Sequence, residues 1–516
     1  GETGDTALEP FYDMPEGAHA VALPLSNPIY LPIDPFNPGT PPTGSLFMYV
    51  AGATDGAGSD TLHKVRLITE SLDFGTEGEN SRETYTVGVV GGKLVKFDRG
   101  AGAVEPLVPD VALDPALLNA DSPYIMSTVM FNTIYVLDGR GYIYWEATNA
   151  LGGKFESRSG GEIPKGARLI ENWRGRLALA RTDEDPHNVF FSRVGDPWNW
   201  DQFPAVPDGL EATSFTNSRV GRNADIVNTL VSYNDDLLMV GGDHTIQVLR
   251  GDPLADGQLD LITDVTGMAF GESWCKDPHG VLYFFGSRGG VYRWVPGGAV
   301  PERITRDRIE RRMQDLDLSV VRVRLSWNWK DEGLHVVVIP LAPAAGSVTH
   351  PSWFMDKMGA WWEDSWTESA LQPHSLRMVD GDDPDDRVLL LGGEDGFVRF
   401  WDQAAKDDDG TRIDAHVLIG PLMPGTADVA FGFRRPEVVL ATGKDGCLFE
   451  FIGASTAETA TEPSQRADLK PGRNPRLPIG IKDSAVYARL RNAALSESFG
   501  FESLTVSIRA AGRHRP

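Results

Sequence analysis

Gly280-Val281-Leu282-Tyr283-Phe284-Phe285-Gly286-Ser287-Arg288-Gly289-Gly290-Val291-Tyr292-Arg293-Trp294 contains a complete structural unit. A continuous apolar run of five residues is too short for a helix. It is followed by a glycine-rich turn and a second short run ending in an aromatic, which reads as a β-hairpin. Because the first run does not alternate apolar with polar, the strand is expected to be covered on both faces.

The same pattern recurs four more times. The copies are Tyr85–Val90 with Leu94–Phe97 across Gly91-Gly92, Thr133–Leu137 with Tyr142–Trp145 across Asp138–Gly141, Leu237–Val240 with Thr245–Leu249 across Gly241-Gly242-Asp243, and Val388–Leu391 with Phe397–Trp401 across Gly392–Gly396. The last turn glycines, Gly92, Gly141, Gly242, Gly290 and Gly396, are 49, 101, 48 and 106 residues apart. One step of about 50 residues, a propeller-blade repeat, accounts for all of these spacings if copies are missing near 190 and 340. Divergent hairpins occupy both places, Arg176–Ala180 with Val189–Arg193 and Leu334–Ile339 with Trp353–Met355. The expected fold is all-β, a β-propeller of six or seven blades over 61–405.

Outside the repeat, Pro24, Pro28, Pro32, Pro35, Pro38, Pro41 and Pro42 forbid a helix and favour an extended path. Residues 1–60 are therefore read as an arm that either straps over its own subunit or reaches a neighbour. Lys406-Asp407-Asp408-Asp409-Gly410 reads as the linker into a smaller C-terminal β-sandwich-like domain, 406–516. Its strands are expected at His416–Ile419, Pro436–Leu440, Leu448–Ile452, Ala485–Leu490 and Leu504–Ile508, although the turn at Lys444-Asp445-Gly446 also suits an extra blade.

The 516 residues, 41% apolar and 23% charged, suffice for two or three hydrophobic cores. Forty-eight basic against 73 acidic residues give a net charge of −25, the wrong sign for gripping phosphates, so stable DNA binding is not expected. The same charge keeps a large protein soluble, or lines a passage along which DNA slides. Gly1-Glu2-Thr3-Gly4-Asp5 has neither a basic nor an apolar leader region, and the longest apolar run, Val336–Ala345, is broken by Pro340 and Pro343. The expected product has no membrane anchor and assembles in a bacterial cytoplasm. Cys275 and Cys447 match no metal or redox spacing and are expected as buried thiols.

Glu171-Asn172-Trp173-Arg174-Gly175-Arg176-Leu177 and Phe190-Phe191-Ser192-Arg193-Val194-Gly195-Asp196-Pro197-Trp198-Asn199-Trp200 resemble stretches of tailed-phage structural proteins, in which a blade precedes a Gly-Asp-Pro-x-x-Trp loop. Asp235-Asp236-Leu237-Leu238, Leu249-Arg250-Gly251-Asp252-Pro253, Trp274-Cys275, Gly280–Phe284 and Leu504–Arg513 are similar to the same group. The chain thus resembles, over roughly 130–513, the propeller-containing tail nozzle or tail hub proteins of short-tailed bacteriophages. That resemblance implies a homo-oligomeric ring, a hexamer, in the virion tail beneath the portal and adaptor. It would contact adaptor proteins and tail fibres or spikes, with the genome passing through during ejection without specific binding. The motif residues Trp173, Arg174, Ser192, Asp196, Pro197, Trp198 and Trp200 are given a structural role, and no channel-lining residue is assigned.

The sequence holds no catalytic constellation: no His-Glu-x-x-His, no Gly-x-Ser-x-Gly elbow and no P-loop. It is read as a non-enzyme with no cofactor. The alternative is a propeller glycoside hydrolase or a receptor-binding module acting on host surface polysaccharide, with Glu146, Asp243, Glu394 and Asp395 as turn-borne carboxylates. Asp380–Asp386 and Asp407–Gly410 lack the spaced calcium-loop pattern and read as solvated loops. Trp327, Trp329, Trp353, Trp361, Trp362 and Trp366 suit core packing, a subunit contact or a sugar platform.

Overall fold

The computed structural model describes residues 125–513 apart from short breaks, and before residue 125 the strands that lie between 29 and 106. The chain is almost wholly β and divides into two compact units, one ending at Trp401 and the other running from Asp402, ahead of the expected boundary at 406.

The first unit contains a β-propeller, with seven antiparallel sheets among its described residues. The second sheet is typical: Met126–Met130, Thr133–Leu137, Tyr142–Glu146 and Leu151–Lys154 pair in chain order. Every glycine-turn hairpin of the sequence is the second and third strand of one sheet, and the two divergent hairpins fill the same position in theirs.

The second strands Thr133–Leu137, Arg176–Ala180, Leu237–Gly242, Leu282–Phe285 and Gly333–Pro340 are buried at every residue. The cause is that separate apolar cores fill the spaces between consecutive sheets. Val87, Leu94, Ile134 and Trp145 join the first to the second, Val231, Met239, Leu282 and Phe284 the fourth to the fifth, and Val337, Ile339, Leu376 and Leu391 the sixth to the seventh. A strand pressed between two such cores has no solvent face, so it needs no polar alternation.

The circle closes where Val65–Phe74 meets both Met126–Met130 and Pro373–Val379. Two short pieces of the proline-rich arm take part. Ile29–Tyr30 pairs with Ala103–Pro106 at the edge of the first sheet, and Met48–Tyr49 pairs with Phe397–Phe400 to supply the fourth strand of the seventh. The rest of the arm lies outside the described residues.

In the second unit, one sheet holds His416–Leu422, Ala485–Arg491, Cys447–Ala454 and Pro463–Leu469, and another is built around Val429–Leu440, which pairs with Phe501–Arg513. Phe433, Val438 and Leu440 of one meet Phe449, Phe451, Val486 and Leu490 of the other in a single core, giving a sandwich. The turn at Lys444–Gly446 leads into this sandwich and not into a further blade. Nor is the acidic stretch a simple linker, because Asp407–Asp408 pairs with Thr411–Arg412 in a small hairpin.

Residues 402–516 hold fifteen Lys and Arg against fifteen Asp and Glu, so the entire net charge of −25 belongs to residues 1–401. Of the two cysteines, Cys447 is buried as expected, its thiol pushed up to about 12 by burial. Cys275, in the middle of the Trp274–Lys276 edge strand of the fifth sheet, is half-buried as a residue, but burial still pushes its thiol up.

Candidate functional site

Two of the stretches that carry the resemblance, Glu171–Leu177 and Phe190–Trp200, meet in the third sheet, and Asp252 of a third stretch reaches them. Leu169–Trp173 and Arg176–Ala180 are joined by the two-residue turn Arg174-Gly175, both with positive φ (53° and 68°), the arrangement that matches the natural twist of a hairpin. Trp173 is buried and its Nε1 donates to the Asn234 carbonyl at 2.9 Å, tying this sheet to the turn of the next; the Arg174 guanidinium lies 5.6 Å from the Trp173 ring centre.

Arg176, one position further, has no exposed surface. Its Nη1 donates to the carbonyls of Ser192 (2.9 Å) and Glu211 (2.6 Å), and its Nη2 lies 3.6 Å from Asp252 Oδ2. Burial lowers the guanidinium's proton affinity and Asp252 opposes that shift, so the carboxylate of the Leu249–Pro253 stretch compensates the buried charge. Ser192 Oγ accepts the Leu177 N–H at 2.9 Å.

The Gly195–Trp200 loop is closed by its own hydrogen bonds. Asp196 Oδ1 accepts the Trp198 N–H (3.0 Å), the Asn199 N–H donates to the Asp196 carbonyl (3.3 Å), and Trp200 Nε1 donates to the Pro197 carbonyl (3.0 Å). Trp200 is buried. Its backbone N–H donates to Gly160 at 2.9 Å, and Gly161 is so close that a Cβ there would lie 2.3 Å from the Trp200 carbonyl carbon.

Trp198 is half-buried and faces the preceding sheet. Its ring meets Tyr144 and Phe155 edge-on at 4.7 and 4.8 Å, and the Arg158 guanidinium stacks 3.6 Å from its centre. Of the seven motif residues, Trp198 thus lies in the joint between the second and third sheets, Trp173 ties the third sheet to the fourth, and the others lie in the hairpin turn and loop of the third sheet itself. None of them is an exposed acid, base or nucleophile aimed at a cavity. The sequence does not flag Arg176, Tyr144 or Arg158, whose roles come from register and not from motif.

Beyond the joint, Asp201–Glu211 presents apolar side chains to solvent: Phe203 is 78% exposed, Val206 82%, and Leu210 is also exposed. The loop is fixed nonetheless. Arg193 grips both oxygens of Asp208, with Nη1 to Oδ1 at 3.0 Å, and this hydrogen-bonded pairing pushes Asp208 down to about 2. Asp201 and Asp208 each accept a backbone N–H two residues on, from Phe203 and Leu210.

A cavity of about 440 Å³ opens among the first strands of six sheets, with Trp274, Trp327 and Trp329 on its wall. Its charged groups are engaged: Glu272 pairs with Arg324 at 3.0 Å, and Lys276 Nζ donates to the Ser232 and Tyr233 carbonyls at 2.6 and 2.9 Å. Of the six tryptophans grouped by sequence, Trp353 is core, Trp327 stacks on Tyr283, and Trp362 is exposed, so they do not form one platform. Glu394, Asp395 and Asp380–Asp386 lie outside the described residues. Among the described residues no group of three or more His, Cys, Asp and Glu is placed to hold a metal.

No protein-family model matches the chain, and no curated protein is similar to it. Solved structures similar to it are propeller proteins. They include the extracellular domain of a hybrid two component system from B. thetaiotaomicron (10% identity, TM-score 0.43, covering 79% of this chain and 44% of that one) and virginiamycin B lyase from Staphylococcus aureus (8%, 0.42, 69% and 98%). A third is YCF48 bound to D1 peptide (11%, 0.39, 66% and 92%). The chain spans less than half the length of the first of these. The likeness is one of fold.

Proposed function

We propose that the chain is a non-enzymatic structural subunit of a phage tail, a nozzle or hub protein whose copies form a ring around part of the genome's exit path. The observation that carries this reading is the rigid, solvent-exposed apolar loop at Phe203–Leu210, directly after the stretch that resembles the family. Large apolar side chains held in water by an ion pair are costly unless another surface covers them.

The ring is proposed as a hexamer in the virion tail, assembled in the host cytoplasm, contacting adaptor and portal-proximal proteins and fibres or spikes. DNA would pass without specific binding, consistent with an acidic first unit that repels phosphates. The tryptophan-walled cavity favours one other reading, a module that binds host saccharides.

Replacing Phe203 and Val206 together with Asp tests the first reading. Both side chains are exposed, so the melting temperature should stay near that of the unmodified chain, while light scattering should show the assembled mass falling to that of one chain. An assembled mass that survives the double substitution would count against the loop as the subunit contact.

A further inference from the structure

Glu450 is at the middle of Cys447–Ala454 and points away from the sandwich core, since its neighbours Phe449 and Phe451 point in. It has no exposed surface. Three guanidiniums cover it. Arg466 Nε is 3.1 Å from Oε1, Arg489 donates from Nε (2.7 Å) and Nη2 (2.6 Å) to Oε2, and Arg491 Nε is 3.4 Å from Oε2. Strand register sets His416 opposite Arg491 and the half-exposed Leu418 opposite Arg489, on this same face, with Asp468 opposite Leu448 as its other acid. Glu450 is hidden beneath its arginines, of which Arg466 is 58% exposed and Arg489 and Arg491 about a quarter exposed. Solvent therefore meets three arginines and one exposed acid, Asp468, with Leu418 and the half-buried Leu448 and Tyr487 among them, on a unit of zero net charge, in a chain whose other unit carries −25.

We propose that this outer face of the C-terminal sandwich docks on the acidic propeller of a second copy of the chain. Propellers of like charge brought side by side repel, and a cationic face on each copy offsets that repulsion. A contact between two unlike surfaces is heterologous, the kind that propagates head to tail and forms a ring when the rotation from copy to copy closes. The inference rests on the ring reading and adds to it which surface each copy offers.

The test is sedimentation of the full chain at about 50 mM and about 500 mM salt, as the unmodified protein and as Arg466→Ala and Arg466→Lys. Arg489 and Arg491 still neutralise Glu450 in both variants, so folding is retained, which a melting curve checks. The expected result is assembly that weakens with salt, a rise of roughly tenfold in the concentration at which Arg466→Ala assembles, and near-normal assembly of Arg466→Lys. Rings indifferent to salt and to Arg466→Ala would overturn this contact and leave the ring reading standing. A chain that stays monomeric in every condition would overturn both. Unchanged assembly, with a duplex DNA fragment bound by the unmodified chain and lost by Arg466→Ala, would make the face a polyanion site and also overturn the proposal.

Discussion

Trp200→Ala is expected to destabilise the propeller unit by about 3–5 kcal/mol, the cost of deleting a large buried aromatic from a packed site. Trp200 is almost fully enclosed, its Nε1 closes the loop onto Pro197, and its backbone donates to Gly160. Removing the ring leaves a cavity that rigid neighbours cannot fill. Trp198→Ala should cost less, roughly 1–2 kcal/mol, because that ring is partly in water and loses mainly its stack with Arg158 and its edge contacts with Tyr144 and Phe155. Denaturant unfolding of the two variants measures the difference. A larger loss for Trp198 than for Trp200 would show that the loop is held by its outer ring and not by its buried one.

Glu450→Gln should be as damaging to the C-terminal sandwich, by about 3–5 kcal/mol, although it changes one atom and no volume. The carboxylate is the shared partner of Arg466, Arg489 and Arg491, and without its charge the three guanidiniums face one another with their common counter-charge gone. The check is the unfolding midpoint of the sandwich followed by Trp-independent circular dichroism. A shift corresponding to less than about 1 kcal/mol would mean that the arginines are well enough hydrated to need no counter-charge.

The propeller is legible in the sequence because two local signals coincide in each of five hairpins, a non-alternating apolar second strand and a glycine turn. Where the turn gives way to a longer connection, between Arg176–Ala180 and Val189–Phe191 or between Gly333–Pro340 and Ser352–Met355, only the 50-residue spacing points to the pair. In the sandwich, strands with a buried stripe are visible, whereas Pro463–Leu469 is missed because nearly all of it faces solvent and reads as a polar loop.

The joint is legible only in part. Sequence places Trp198 and Trp200 in the same loop but cannot say which is enclosed, because that depends on the turn at Asp196 and the approach of Gly161. Arg176 looks like one more surface arginine until Asp252, some seventy residues on, is brought beside it. The cluster around Glu450 has no local signal at all, since its arginines come from two other strands and meet it through register.

Whether copies of this chain close into a ring is visible in electron microscopy of the purified full chain in low salt. Closed rings of one size with six-fold symmetry in class averages are the expected result. Single particles with the mass of one chain, at concentrations up to those used for assembly, would contradict it.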